Sequence, residues 1–243
     1  MKFWLNLIML MAVIVVNALA NLIPINGMES GEISDRLNVL FTPAGYVFSI
    51  WSLIYLLLLI WVFRQWPEHR RELGVYVHSH YLFWLSCLLN ISWILLWHYQ
   101  FFGATVIVMV ILLLTLIILY KKIQRSALSF FDQLPFSIYL AWVSVATIAN
   151  ISYYLVEINW AGLGLAQQTW TIGLLLLAGG LATWFRYAQR DVFFPLVFVW
   201  ALVGIGVNNQ DHAQVVSTLA YVLAGTVVIL ILLVRKKNTH IFK

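Results

Sequence analysis

A chain of 243 residues with 63% hydrophobic and 9% charged side chains falls outside the soluble globular class, whose domains carry about 25% charged residues. The net charge of +5 is no nucleic-acid footprint, because the basic residues are scattered over short connecting segments. The lone cysteine, Cys87, excludes an intramolecular disulfide, and no zinc-type Cys/His cluster, phosphate-binding glycine loop or serine-nucleophile elbow is present.

In chain order the sequence reads as eight apolar spans, about 3–23, 45–63, 80–98, 103–120, 134–156, 170–185, 192–207 and 214–234. This predicts an all-α integral membrane bundle, since about 20 residues at 1.5 Å each cross the hydrocarbon. The first span also has the look of a secretory signal, with Lys2, an apolar run and Ala18-Leu19-Ala20, but its length favours a retained helix. Of the 14 basic residues, all but Arg36 fall on one side of the predicted bundle. They are Lys2; Arg64, Arg70 and Arg71; Lys121, Lys122 and Arg125; Arg186 and Arg190; and Arg235, Lys236, Lys237 and Lys243. The positive-inside rule then predicts that both termini face the cytoplasm. No Asp, Glu, Lys or Arg lies deep in a span, which argues against a proton-coupled pump.

The second span opens with Thr42-Pro43, and Pro43 suits the first turn of a helix, where its missing N–H costs nothing. Phe48, Trp51 and Tyr55 follow at i, i+3 and i+7, on one face. Such a stripe is either helix packing or one wall of a pocket for a flat apolar ligand. The third span places Asn90, Trp93 and Trp97 on one face, and the fifth does the same with Tyr139, Trp142, Ala146, Asn150 and Tyr153. A side-chain amide left unsatisfied in hydrocarbon costs roughly 1–3 kcal/mol, so these asparagines face other helices, water or a ligand. The second span descends from outside while the third and fifth ascend. Trp51, Trp93 and Asn150 should therefore share a level about 9 Å below the outer surface, with Asn90 nearer mid-membrane. The long first connection, 24–43, is placed to act as a lid above them. Tryptophans near predicted span ends, such as Trp97, Trp160 and Trp170, read as interfacial belt.

These residues resemble a known family. Tyr46-Val47-Phe48-x-x-Trp51-x-x-x-Tyr55 resembles the W-x-F-x-x-V-W-T-x-L-Y signature of the TspO/MBR (tryptophan-rich sensory protein) family, with Tyr46 for the first Trp, Ile50 for Val and Ser52 for Thr. Leu89-Asn90-x-x-Trp93 is similar to its third-helix L-N-x-x-W, and Tyr139-x-x-Trp142-x-x-x-Ala146-x-x-x-Asn150 to its fifth-helix motif. The resemblance covers about residues 1–156. It implies a five-helix bundle that binds porphyrins, sterols or benzodiazepine-type ligands, lined by Trp51, Asn90, Trp142 and Ala146. For some bacterial members it also implies light-dependent porphyrin breakdown involving the two tryptophans. Ile138 departs from the family's proline, the first loop lacks its Trp and paired Pro, and 157–243 adds three spans to the usual five.

The expectation is a multi-pass receptor or sensor in a bacterial cell membrane, binding a tetrapyrrole or sterol-like molecule. Its site would comprise Phe48, Trp51, Tyr55, Asn90, Trp93, Tyr139, Trp142, Ala146 and Asn150, with no required cofactor and no metal. The competing readings are a transporter of such ligands and a porphyrin-degrading enzyme. A homodimer is compatible with the sequence. Trp200-x-x-x-Gly204-x-x-x-Asn208 repeats the spacing of Trp142, Ala146 and Asn150, by chance, as a relic of duplication or as a second half-site. His78, His80, His98 and His212 read as solvated loop residues rather than metal or haem ligands.

Overall fold

The computed structural model describes residues 2–23 and 25–234, so the basic residues Arg235, Lys236, Lys237 and Lys243 lie outside the described residues. Eight long helices carry the chain: α1 (Lys2–Leu22), α2 (Gly45–Phe63), α3 (His80–His98), α4 (Phe102–Ser126), α5 (Phe130–Glu157), α6 (Gln167–Gln189), α7 (Phe193–Asn209) and α8 (Gln214–Leu233). All but α7 are long and apolar enough to cross a membrane, and α7, with 17 residues, spans about 26 Å. No strand occurs among the described residues.

The helix ends differ from the sequence expectation where capping decides them. α5 begins at Phe130 rather than near 134, because Ser129 and Asp132 form a reciprocal capping box around the first turn. Pro135 consequently lies inside the helix. α4 runs past 120 to Ser126, carrying Lys121 and Lys122 on its last turns, where long stems let the charges reach water. α2 starts as a tight 3-10 turn, Gly45–Ser49.

α1, α3, α4, α5 and α2 pack in that order into a ring that closes between α2 and α1. α1 and α3 run parallel, pinned at two levels. Trp84 Nε1 donates to Asn6 Oδ1 at 2.7 Å, and Asn17 Nδ2 donates to Asn90 Oδ1 at 2.9 Å. Asn6 also donates to Gln65 Oε1 at 2.8 Å, tying the start of α1 to the end of α2. α7 packs on α5 and on the first turn of α2, and α6 and α8 complete a three-helix layer behind it.

The half of the ring nearer the start of α1 is filled. Trp61, 0% exposed, meets Tyr76, Phe83 and Phe136 with ring centroids 5.0–5.3 Å apart. Below it the fully buried Asp132 takes Arg64 at 3.3 Å and Arg70 at 4.0 Å while capping the N–H groups of Leu128 and Ser129. Tyr120 donates to Asp191 at 2.7 Å and fastens α4 to the start of α7. Cys87 is buried, as an inert core thiol would be.

Two histidines correct the solvated-loop expectation. Of the four histidines singled out, His80 and His98 are buried, and His78 and His212 are exposed. His98 ends α3, and its ring nitrogens approach the carbonyl oxygens of Ile94 (2.9 Å) and Ala20 (3.3 Å). Its place is set by three converging segments rather than by its nearness to a helix end.

Candidate ligand-binding site

The other half of the ring encloses a cavity of about 730 Å³, bounded by α1, α2, α3, α5 and residues 29–34 of the first connection. Its α2 wall is aromatic. Trp51 and Tyr55 stack at 5.5 Å, as their spacing of one helical turn allows. Trp142 of α5 meets Trp51 and Phe48 edge to face at 6.3 and 5.8 Å. The opposite wall stacks Trp93 on Trp97 at 5.6 Å.

Small residues keep the space between these walls empty. Gly45, Ser49 and Ser52 on α2, Ala146 and Ala149 on α5, and Ala18 on α1 all line it. Leu56, 55% exposed, sits at its edge on the flank of α2 that also exposes Leu53 and Ile60. The cavity therefore runs out toward the bilayer between α1 and α2.

Hydrogen bonds fix the rings. Trp93 Nε1 donates to Asn150 Oδ1 at 2.9 Å, and Asn150 Nδ2 donates to Thr105 Oγ1 at 3.0 Å, which answers the cost of an amide in hydrocarbon. Tyr55 lies beside Asn90, and the Trp142 indole N–H is fully buried behind the cavity wall.

The short helix Ser30–Asp35 covers the mouth. Trp97 Nε1 donates to Ser30 O at 3.3 Å, and Tyr153 OH donates to Ile33 O at 2.8 Å. Asn26 Nδ2 donates to His98 O at 3.1 Å, and His98 Nε2 lies 3.3 Å from Ser30 Oγ. At the rim, Arg36 bonds Gln100 at 2.6 Å and pairs with Glu157 at 3.3 Å.

Of the residues expected in the site, Phe48, Trp51, Tyr55, Trp93, Trp142, Ala146 and Asn150 line the cavity. Asn90 and Tyr139 do not. Asn90, 2% exposed, is consumed between Asn17 and the Tyr139 hydroxyl, to which its Nδ2 donates at 3.2 Å, and Tyr139 supports Trp51 from behind at 5.9 Å. Sequence reasoning missed Asn17, Tyr153, the loop residues Ser30 and Ser34, and Trp97, which was read as interfacial belt. Tyr153 and Trp97 lie on the faces already singled out, and that periodicity was the available signal. The repeated Trp200, Gly204 and Asn208 set forms no second half-site, because the chain at 42–47 lies against it.

Among the described residues no group of three or more His, Cys, Asp or Glu side chains is placed to hold a metal ion. The sequence profile of the family described as TSPO-like protein matches residues 3–233, and so runs through α6, α7 and α8 as well as the five-helix ring. Comparison with curated proteins gives no match, and neither does comparison with solved structures.

Proposed function

Because the chain belongs to the TSPO-like protein family, we propose that it is a multi-pass membrane receptor that holds a flat hydrophobic ligand, a tetrapyrrole or sterol-like molecule, in the ring cavity. One observation supports this most: about 730 Å³ of space between two aromatic walls, inside the range of small-molecule sites. Planar rings suit such walls through stacked and edge-to-face contacts.

Passage through the protein is the second reading, and the packing of the ring weighs against it. The cavity runs toward the bilayer beside Leu56, while the far half is closed by Trp61 and its ring neighbours. The proposal includes a division into a five-helix unit, 1–156, and a three-helix extension, 157–243. It also includes an orientation, with the basic end cytoplasmic and the Ser30–Asp35 cover outside. In a Cys87→Ser background, a cysteine at Ser30 should react with an impermeant thiol reagent on intact cells, and one at Ser126 only after permeabilisation; the reverse pattern rejects this orientation.

Titrating the purified protein with protoporphyrin IX should give saturable quenching of tryptophan fluorescence with Kd of about micromolar or tighter, since Trp51 and Trp142 border the cavity. Folded protein that binds no tetrapyrrole saturably would remove the ligand class from this reading.

A further inference from the structure

The segment Leu40–Val47 carries little regular structure of its own. It enters α2 without a regular helical turn, Pro43 has no N–H to donate, and the first turn is 3-10. Buried backbone groups on such a path need partners from elsewhere. Those partners come from α7.

Asn209 Nδ2 donates to Leu40 O at 2.9 Å, and Asn208 Nδ2 donates to Thr42 O at 3.0 Å. The Ala44 N–H donates to Gly204 O at 3.1 Å, and Trp200 Nε1 donates to Val47 O at 3.1 Å. The segment runs antiparallel to α7, so Asn209, Asn208, Gly204 and Trp200 meet residues 40, 42, 44 and 47 in turn, three by side-chain donors and Gly204 by its carbonyl. Gly204 is required sterically: a Cβ there would stand 2.2 Å from Val47 Cγ2 and 3.2 Å from Pro43 Cβ. Tyr46 closes the contact by packing edge to face on Trp200 at 5.2 Å.

The same segment borders the cavity. Thr42, Pro43 and Gly45 line it, and Phe48 and Trp51 follow directly on the same helix, whereas Trp200, Gly204 and Asn208 do not line it. We propose that α7 is a positioning helix for the ligand cavity, with Trp200, Gly204 and Asn208 holding residues 40–47 on the path that brings Gly45, Phe48 and Trp51 to the ligand. The consequence for ligand affinity rests on the receptor reading above; the clamp itself does not.

The test uses the full chain in lipid nanodiscs and the double variant Trp200→Phe/Asn208→Ala, which keeps an aromatic ring and Gly204 in place. Hydrogen–deuterium exchange of peptides covering 40–49 should accelerate roughly tenfold or more, as expected when two ordinary hydrogen bonds are lost, with peptides of α3 and α5 unchanged. Protoporphyrin IX affinity should fall about 5- to 20-fold with the melting temperature nearly unchanged. Gly204→Ala, read the same way, should displace the segment sterically. Unchanged exchange at 40–49, or acceleration spread evenly over all helices, overturns the clamp. Local acceleration with undiminished porphyrin affinity overturns the link to the cavity. If the unmodified protein binds no porphyrin, the ligand reading fails by itself, and the exchange data still decide whether α7 holds the segment.

Discussion

The two halves of the five-helix ring use the same residue types to opposite ends. In one half Trp61 is walled by Tyr76, Phe83 and Phe136, with ring centroids 5.0–5.3 Å away. In the other, Trp51, Trp142 and Trp93 share the lining of an open cavity with Gly45, Ser52, Ala146 and Ala149. Aromatic content does not distinguish a core from a pocket in this membrane protein. The small residues beside the rings do: rings pack on rings in both halves, and the cavity half adds glycine, serine and alanine to its lining.

Removing bulk from each half should expose the difference most strongly. Trp61→Ala empties a closed, fully buried site and should cost about 3–5 kcal/mol, whereas Trp51→Ala enlarges an existing cavity and should cost no more than about half as much. Denaturant titration of both variants in one detergent measures the gap, and equal losses would erase the distinction between the halves. The ion pairs provide a second, smaller contrast. Asp132→Ala removes a buried carboxylate from Arg64 and Arg70 together with its capping bonds. It should cost about 2–3 kcal/mol, less than a fully enclosed pair because both arginines reach water. Glu157→Ala breaks only the rim pair with Arg36 and should cost less than about 1 kcal/mol in the same titration.

The smallest stability change belongs to the most informative variant. Ala146→Leu adds carbons to the cavity rather than to a packed contact, so stability should move by no more than about 0.5 kcal/mol. Porphyrin affinity should meanwhile weaken by about 1–3 kcal/mol, roughly 5- to 150-fold. A clear drop in melting temperature with affinity retained would make Ala146 a helix contact instead.

Periodicity made the faces of this site legible, and depth was harder to read. Phe48, Trp51 and Tyr55 share a face by spacing alone, and so do Asn90, Trp93 and Trp97. Whether a residue on that face meets open space or a neighbouring helix depends on where helices distant in sequence converge. That is why Asn90, one turn deeper than Trp93, is tied to Asn17 and Tyr139 instead of lining the cavity. α1 was read for its hydrophobicity and length, so the inward side of Asn17 went unnoticed. The Trp200-Gly204-Asn208 spacing was visible in the sequence, but its partner lies more than 150 residues upstream in an irregular segment that no periodicity describes.

The amide pins on α1 also set a clock for biosynthesis. Asn17 leaves the ribosome 73 residues ahead of Asn90, an interval of about 4–15 s at ordinary elongation rates. Asn6 waits a comparable time for Trp84. Before then Asn17 has the Val13 carbonyl of its own helix at 3.0 Å and Asn6 has Gln65 at 2.8 Å, so the bonds to α3 are the last of the α1 amide contacts to close.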